Sequence, residues 1–170
     1  MKFPRAFVKN SDLVHVIMET PMKSRNKYAY DEETGLFKLK KMLPDGFTFP
    51  FGMGFIPGTK GADGDPLDAL VLVREIIYPG CLVEAKLLGV MEAMQKEKGK
   101  KPVRNDRFLV MVEGHENYEK INSIEDLGEQ KLRAIGVFFE AYNSFEGKQF
   151  KVLGVVKARK AYNLIKKQKA

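Results

Sequence analysis

The chain has 170 residues, a formal net charge of +7 and 44% apolar residues, which is the composition of a folded globular protein rather than a disordered one. This length favours one domain, expected over residues 1–170, with a core that needs neither disulfides nor a structural metal. The single Cys81 excludes an internal disulfide. No apolar run approaches the ~20 residues of a membrane span or forms a signal-peptide core, so we expect a cytoplasmic protein that does not associate with membranes.

The positive charge is concentrated in two segments. Residues 147–170 carry 8 basic and no acidic side chains, and residues 96–107 carry 6 basic and 2 acidic ones, which leaves −5 for the rest of the chain. The pattern predicts a mildly acidic body with a basic hairpin tip and a basic tail. We expect both basic segments to be peripheral or to steer an anionic substrate.

Alternation of apolar and polar residues predicts strands along most of the chain, at residues 13–19, 27–31, 36–40, 67–73, 82–92, 108–112 and 150–156. Gly35 ends a predicted hairpin turn and supplies the positive φ that such a turn requires. Helical spacing follows late, with a core-facing stripe at Leu132, Ile135, Phe139 and Tyr142 and a shorter pattern over residues 158–165. Many strands followed by helices predict an α+β domain, mainly β, built on a small barrel.

Residues 43–62 interrupt this pattern with Gly, Pro and Phe. A stretch of this length and composition predicts an irregular segment, and long irregular segments in compact domains are usually functional or disordered. The four phenylalanines in it favour an ordered one, so we expect a functional loop here.

Three aspartates fall within six residues in the segment Asp63-Gly64-Asp65-Pro66-Leu67-Asp68, called here the aspartate segment. Carboxylates this close repel one another unless a cation or a proton compensates their charge. Asp63 and Asp65 project to the same side of an extended chain, Gly64 permits a tight bend and Pro66 fixes φ. Oxygen ligands held in this way suit a hard divalent cation such as Mg²⁺.

Three alternative motifs match the segment less completely. An Asx-rich turn ahead of a strand accounts for one or two of the aspartates. An EF-hand loop starting at Asp63 would need Gly at its sixth position and Glu at its twelfth, where the chain has Asp68 and Arg74. An Asp-x-Asp phosphatase motif would follow an apolar strand, whereas Lys60-Gly61-Ala62 precedes the first aspartate here.

The aspartate segment and the apolar strand after it resemble the signature of the family I inorganic pyrophosphatases. The resemblance extends over roughly residues 13–156 and includes Glu19-Thr20-Pro21, Lys27-Tyr28, Phe49-Pro50, Gly54-Phe55-Ile56, Pro79-Gly80 and Phe138-Phe139-Glu140-Ala141-Tyr142. It implies a small closed OB-type five-stranded β-barrel with flanking helices. It also implies Mg²⁺-dependent hydrolysis of pyrophosphate to two phosphates, with Mn²⁺ as the alternative metal, and a homo-oligomer that is a hexamer in bacterial members.

The resemblance also implies roles for individual residues. Asp63, Asp65 and Asp68 match metal ligands, and Asp65 is in addition the expected general base that orients the attacking water. Positions that contact phosphate oxygens are matched by Lys27, Lys41, Tyr142 and Arg107. Glu19 matches a carboxylate that supports the ligands from behind. We expect Asp106 in the same supporting role, and Glu92, Glu97 and Asp106 are near enough in the sequence to substitute for missing carboxylates.

The chain departs from the family pattern at several positions. Ala29 stands where an acidic residue is usual, Met53 where a substrate-contacting Tyr is common, and Lys41 where Arg is frequent. Two further metal-binding aspartates of the family align with Gln95 and Asn105, and a common Lys aligns with Asn143. We expect an active enzyme with altered metal ligation.

The alternative is a catalytically weakened barrel whose basic hairpin and tail bind a phosphate-rich partner or nucleic acid. The phenylalanines that could stack on bases lie beside the acidic aspartate segment, so we do not expect nucleic acid to be the partner.

Overall fold

The computed structural model describes residues 3–112 and 120–170. In this part of the chain nine strands and two helices are formed: β1 (Leu13–Thr20), β2 (Asn26–Asp31), β3 (Leu36–Met42), β4 (Gly52–Ile56), β5 (Leu67–Leu72), β6 (Leu82–Lys96), β7 (Val103–Arg104), β8 (Arg107–Val112), α1 (Glu129–Ser144), β9 (Gln149–Lys157) and α2 (Ala158–Lys167). A short 3₁₀ turn, Ile124–Leu127, precedes α1. All seven predicted strands and both predicted helices are present.

Five strands close into a ring. They pair in the order β1, β4, β5, β8 and β6, and β6 pairs back onto β1. Every pair in the ring is antiparallel except β5 with β8. The 15-residue β6 also pairs with β7 and β9, and shifts in its register beside β8 and β9 accompany these changes of partner. The mainly β, OB-like five-stranded fold with flanking helices is therefore confirmed.

The expectation of an irregular loop over residues 43–62 is wrong for β4, which is buried along its whole length. Its glycines explain the error, because Gly52 and Gly54 are typical of loops but here allow strands to approach closely. A Cβ at Gly54 would overlap the backbone carbonyl of Ile17 and the side chain of Val16 on β1. Composition alone does not distinguish a glycine used for packing from one used for a turn.

Both helices pack against the barrel strands through buried apolar side chains. One core cluster joins Ile135, Phe139 and Tyr142 of α1 to residues of β5, β6 and β8. The other joins Ala161 and Ile165 of α2 to the remaining buried faces of the ring. The predicted stripe on α1 is thus its core face, with Leu132 only partly buried.

A separate hairpin, β2 with β3, lies beside the barrel. Gly35 adopts φ 69° at its turn, as predicted. The register places Lys27 opposite Lys41, so the two predicted phosphate-contacting lysines are cross-strand neighbours.

The basic tail differs from its expected peripheral position. Lys169, which follows α2, forms a β-bridge with Thr59, and the Gln168 carbonyl accepts a hydrogen bond from the Lys60 N–H at 2.7 Å. The N–H of Ala170 donates to the Gly58 carbonyl at 3.1 Å. Residues 168–170 therefore hold the backbone that leads directly into the aspartate segment.

Within the described residues, neither helix has the length and apolar character needed to cross a membrane.

Candidate active site

The aspartate segment is a tight loop whose two ends are fixed. The Gly61 N–H donates to the Asp65 carbonyl at 2.7 Å, and the Asp65 N–H donates to Asp63 Oδ1 at 3.2 Å. The buried Thr59 hydroxyl donates to the Ile56 carbonyl and accepts from the Leu67 N–H, at 2.6 and 3.0 Å. Gly64 adopts φ 94°, a conformation that L side chains rarely adopt. These bonds set the loop on the edge of the barrel, where β5 begins.

Four carboxylates, called here the acidic cluster, act on one another at this edge: Glu19, Asp63, Asp65 and Asp68. Desolvation raises the pKa of Glu19 to about 7, with repulsion from Asp68 and Asp65 adding to it. The Tyr30 N–H, 2.8 Å from Glu19 Oε1, and the charge of Lys27 oppose this rise. Desolvation likewise raises the pKa of Asp63, and the charges of Asp68 and Asp65 raise it further. The cluster therefore holds negative charge that its own residues compensate incompletely.

The chemistry of these donors fits a hard divalent cation, since all of them are carboxylate oxygens. Among residues 3–112 and 120–170, however, no three His, Cys, Asp or Glu side chains converge closely enough to form a ready cation site. Asp68 is engaged by an internal cation, because Arg107 Nη1 donates to its Oδ2 at 2.6 Å. The three predicted metal ligands thus lie on one loop and strand without being gathered around one point.

Arg107 is almost completely buried behind Asp68. Its guanidinium carbon lies 4.9 and 5.3 Å from the ring centroids of Phe139 and Phe150, and its Nη1 also contacts the side chain of Asn105. Its Nε is buried and has no hydrogen-bond partner in the described part of the chain. The rings of Phe139 and Phe150 on one side and Asp68 on the other hold the guanidinium next to the acidic cluster.

Asp106 lies beside the cluster but uses its carboxylate for structural bonds. Its Oδ1 accepts from the Ala93 N–H at 2.9 Å and from Arg104 Nε at 2.6 Å. Arg104 in turn pairs with Glu92 at 2.5 Å. The geometry places Asp106 as a support for the β6 to β8 connection.

The other half of the site is cationic. Lys41 and Lys27 lie with their Nζ atoms 3.9 and 5.5 Å from the centroid of the Tyr142 ring. The Tyr142 hydroxyl is buried and without a hydrogen-bond partner among the described residues. Desolvation lowers the pKa of Lys27, but Tyr142 and the carboxylates of Asp68 and Glu19 outweigh it, so this pKa lies above its ordinary value. Groups in both halves of the site therefore influence the pKa of Lys27.

Sequence reasoning missed Glu146, whose Oε1 accepts a hydrogen bond from Lys41 Nζ. The two residues are 105 positions apart, so no local spacing could indicate the contact. Desolvation raises the pKa of Glu146, but the charges of Lys41, Lys148 and Lys27 outweigh this effect, so the pKa lies below its ordinary value.

Arg104 and Gln168 were also missed. Both line a cleft with residues of the aspartate segment, together with Gly61, Ala62, Asn105 and Asp106.

The positions that depart from the family pattern have structural partners. The Asn105 amide donates to Gln95 Oε1 at 3.0 Å, so these two amides bind each other. Asn143 is buried and donates to the Phe139 carbonyl at 2.8 Å. Met53 is buried on β4 opposite Leu70, and Ala29 pairs with Lys38 on the hairpin.

Comparisons with known proteins agree with this arrangement. Residues 16–170 match the family model described as inorganic pyrophosphatase. The chain is 36% identical over 154 residues to the inorganic pyrophosphatase of Halalkalibacterium halodurans, covering 90% of this chain and 91% of the relative. It is 37% identical over 158 residues to that of Sulfolobus acidocaldarius, covering 91% and 88%.

A solved structure gives the same result for the fold. The crystal structure of inorganic pyrophosphatase from Thermus thermophilus has a TM-score of 0.85 and 33% sequence identity, and covers 97% of this chain and 93% of that one. The sequence and the fold therefore agree over nearly the whole length, and the chain belongs to the inorganic pyrophosphatase family.

Proposed function

We propose that this chain hydrolyses inorganic pyrophosphate to two phosphates with Mg²⁺ as its divalent cation, at the site between the acidic cluster and the Lys27, Lys41 and Tyr142 group. Its membership of the inorganic pyrophosphatase family makes it an enzyme of pyrophosphate hydrolysis. The observation that carries the location is the position of Lys27, which lies opposite Lys41 with its Nζ 5.5 Å from the centroid of the Tyr142 ring. The carboxylates of Asp68 and Glu19 raise the pKa of this same lysine. The acidic cluster, which we propose binds the metal, is thus adjacent to the Lys27, Lys41 and Tyr142 group, which we propose binds phosphate.

Each residue has a definite task in this proposal. Asp63, Asp65 and Asp68 would hold the cation, and Asp65 would orient the attacking water and accept its proton as the water oxygen bonds to phosphorus. The bridging P–O bond breaks, and the departing phosphate keeps the bond electrons. When bound, Mg²⁺ supplies charge neutralisation and lowers the pKa of a ligated water. Phosphoryl transfer asks little else of a protein than positioning and electrostatics.

Phosphate oxygens are held by donors on three elements. Lys27 and Lys41 reach them from the hairpin, Arg107 from β8, and the unpartnered Tyr142 hydroxyl from α1. The Tyr142 hydroxyl, which has no hydrogen-bond partner among the described residues, is a donor that an anionic ligand beside Lys41 can satisfy. Glu19 and Asp106 support this arrangement from behind, Glu19 through Tyr30 and Asp106 through Ala93.

A homo-oligomer, with the hexamer implied by the family resemblance, and a cytoplasmic location belong to the same proposal. Exposed apolar side chains support the oligomer: Val137 on α1 is 56% exposed, and Leu153 and Val155 on β9 are 50% and 38% exposed. Contiguous exposed apolar patches mark protein–protein interaction sites, and most soluble oligomers are symmetric homo-oligomers.

The test is phosphate release from pyrophosphate with Mg²⁺ and, separately, Mn²⁺. Asp65→Asn removes the base and one ligand charge while keeping the side-chain shape, so we expect release to fall at least ~100-fold. Asp12→Asn, at an exposed carboxylate ahead of β1, is the matched control and should leave the rate unchanged. Equal release by the wild type and Asp65→Asn would show that the proposed location is wrong.

A further inference from the structure

We propose that Glu146 is an internal counter-anion that holds Lys41 when no ligand is bound and competes with phosphate groups for it, and so limits the affinity of this enzyme for pyrophosphate and phosphate. The inference rests on the proposed phosphate-binding task of Lys41. Glu146 acts through Lys41, so it is a positioning residue that determines affinity.

The carboxylate is delivered to this place by a rigid turn after α1. The Glu146 and Lys148 N–H groups both donate to the Asn143 carbonyl, at 2.9 and 3.0 Å, and Gly147 adopts φ 67° between them. The Asn143 side chain is itself bonded to the Phe139 carbonyl within the helix. These bonds fix the Glu146 backbone in the turn, and its side chain meets Lys41 of the hairpin from there.

The contact is shielded from water. The side chains of Lys41 and Glu146 are only 24% and 28% exposed, so salt screens this ion pair less than it screens a surface pair. The second carboxylate oxygen lies 3.4 Å from Lys148 Nζ, which also contacts Glu97 of the basic hairpin tip at 3.2 Å. A network of charges thus keeps Glu146 beside the phosphate side of the site.

Lys41 has limited capacity for a second anion. Its ammonium has three N–H donors; one serves Glu146 and the Nζ also lies over the face of the Tyr142 ring. A phosphate oxygen that binds Lys41 comes close to the Glu146 carboxylate, and the two negative charges repel each other. Ligand binding must therefore displace Glu146 or tolerate that repulsion, and either effect weakens binding without abolishing it.

The experiment is Glu146→Gln, titrated calorimetrically with inorganic phosphate and with methylenediphosphonate in the absence of divalent metal. Removing one partly screened negative charge should tighten both ligands about five- to tenfold. Glu140→Gln, at an exposed carboxylate on α1, is the matched control and should leave both affinities unchanged. Binding that is unchanged or weaker in Glu146→Gln overturns the proposal.

Two further measurements separate competition from a structural effect. In a Lys41→Gln background the change caused by Glu146→Gln should become much smaller, because the competition for Lys41 is gone and only the direct repulsion of the ligand remains; an unchanged gain there overturns the proposal. Glu146→Asp keeps the charge but moves it away from Lys41 by one methylene, so it should increase the affinity for both ligands less than Glu146→Gln does. It replaces Glu146→Gln in the experiment if that variant does not fold.

In the hydrolysis assay, Glu146→Gln should lower KM for pyrophosphate with little change in kcat. A lowered kcat with KM unchanged contradicts the proposal. The metal-free titrations measure binding alone, so their outcome is independent of whether Asp65→Asn abolishes hydrolysis, and the two proposals fail separately.

Discussion

Replacing Glu19 by Gln should make the protein more stable at alkaline pH while changing little at acidic pH. The pKa of Glu19 is raised from 4.5 to about 7, mainly by desolvation. Between these values the folded state holds a proton that the unfolded state has released, so the free energy of unfolding falls as the pH rises. The stabilising contribution of the protonated group is complete below about pH 4.5 and is lost as the pH passes through 7.

The magnitude follows from the size of the change. At about 1.4 kcal/mol per pH unit, moving the pKa from 4.5 to about 7 amounts to about 3 kcal/mol of unfolding free energy. Gln keeps an oxygen that accepts from the Tyr30 N–H, 2.8 Å away in the wild type, but it carries no charge at any pH. Glu19→Gln should therefore be more stable than the wild type by about 2 to 3 kcal/mol at pH 8.5 and similar to it near pH 4.5.

Urea unfolding from pH 4.5 to 8.5 without divalent cation measures this difference. The difference between variant and wild type isolates Glu19 from other titrating groups such as Asp63. Glu33→Gln, at an exposed carboxylate in the β2 to β3 turn, is the control and should show no pH-dependent difference. The reasoning is refuted if the gap between Glu19→Gln and the wild type stays constant, or narrows, as the pH rises.

Three other predictions test the packing of β4 against β1, the pair of Arg107 with Asp68, and the pairing of residues 168–170. Gly54→Ala should lower the unfolding free energy by about 1 to 3 kcal/mol in urea unfolding, because its Cβ would overlap the Ile17 carbonyl. Arg107→Met should lower the unfolding free energy by about 1 to 3 kcal/mol in the same assay, because the pair with the partly exposed Asp68 is lost. It should also weaken phosphate binding, because one of the proposed donors is removed. Deleting residues 168–170 should weaken Mn²⁺ binding, measured by electron paramagnetic resonance, because the backbone before the aspartate segment loses its pairing.

Each of these predictions has its own contradicting result, and two of them have a control variant. Gly154→Ala places a methyl where nothing lies within 4 Å, so a loss of stability as large as that of Gly54→Ala would exclude the steric cause. A Lys169→Gln variant removes only charge; if it weakens Mn²⁺ binding as much as the deletion does, the backbone bonds are not responsible. An Arg107→Met protein as stable as the wild type would show that the pair with Asp68 contributes nothing net.

Much of the fold could be read from local patterns. The alternation in β1, β5 and β6 and the stripe on α1 depend only on side-chain periods of 2 and 3.6 residues, which any strand or helix imposes. The aspartate segment was equally visible, because its carboxylates are gathered within six residues and need no tertiary contact to be near one another. The β4 strand was missed because Gly54 serves the close approach of β1, which is a property of the pair of strands and not of the segment.

The amino-acid sequence by itself determined four of the five barrel strands, the helices and the acidic loop, since each follows from residues a few positions apart. Only the tertiary structure decided which distant groups meet this loop. Arg107 reaches Asp68 across 39 positions, Glu146 reaches Lys41 across 105, and residues 168–170 pair with the backbone before Asp63. Such contacts depend on closure of the ring and docking of the helices, because screened Coulomb attraction becomes strong only when the fold has brought the charges within a few ångströms.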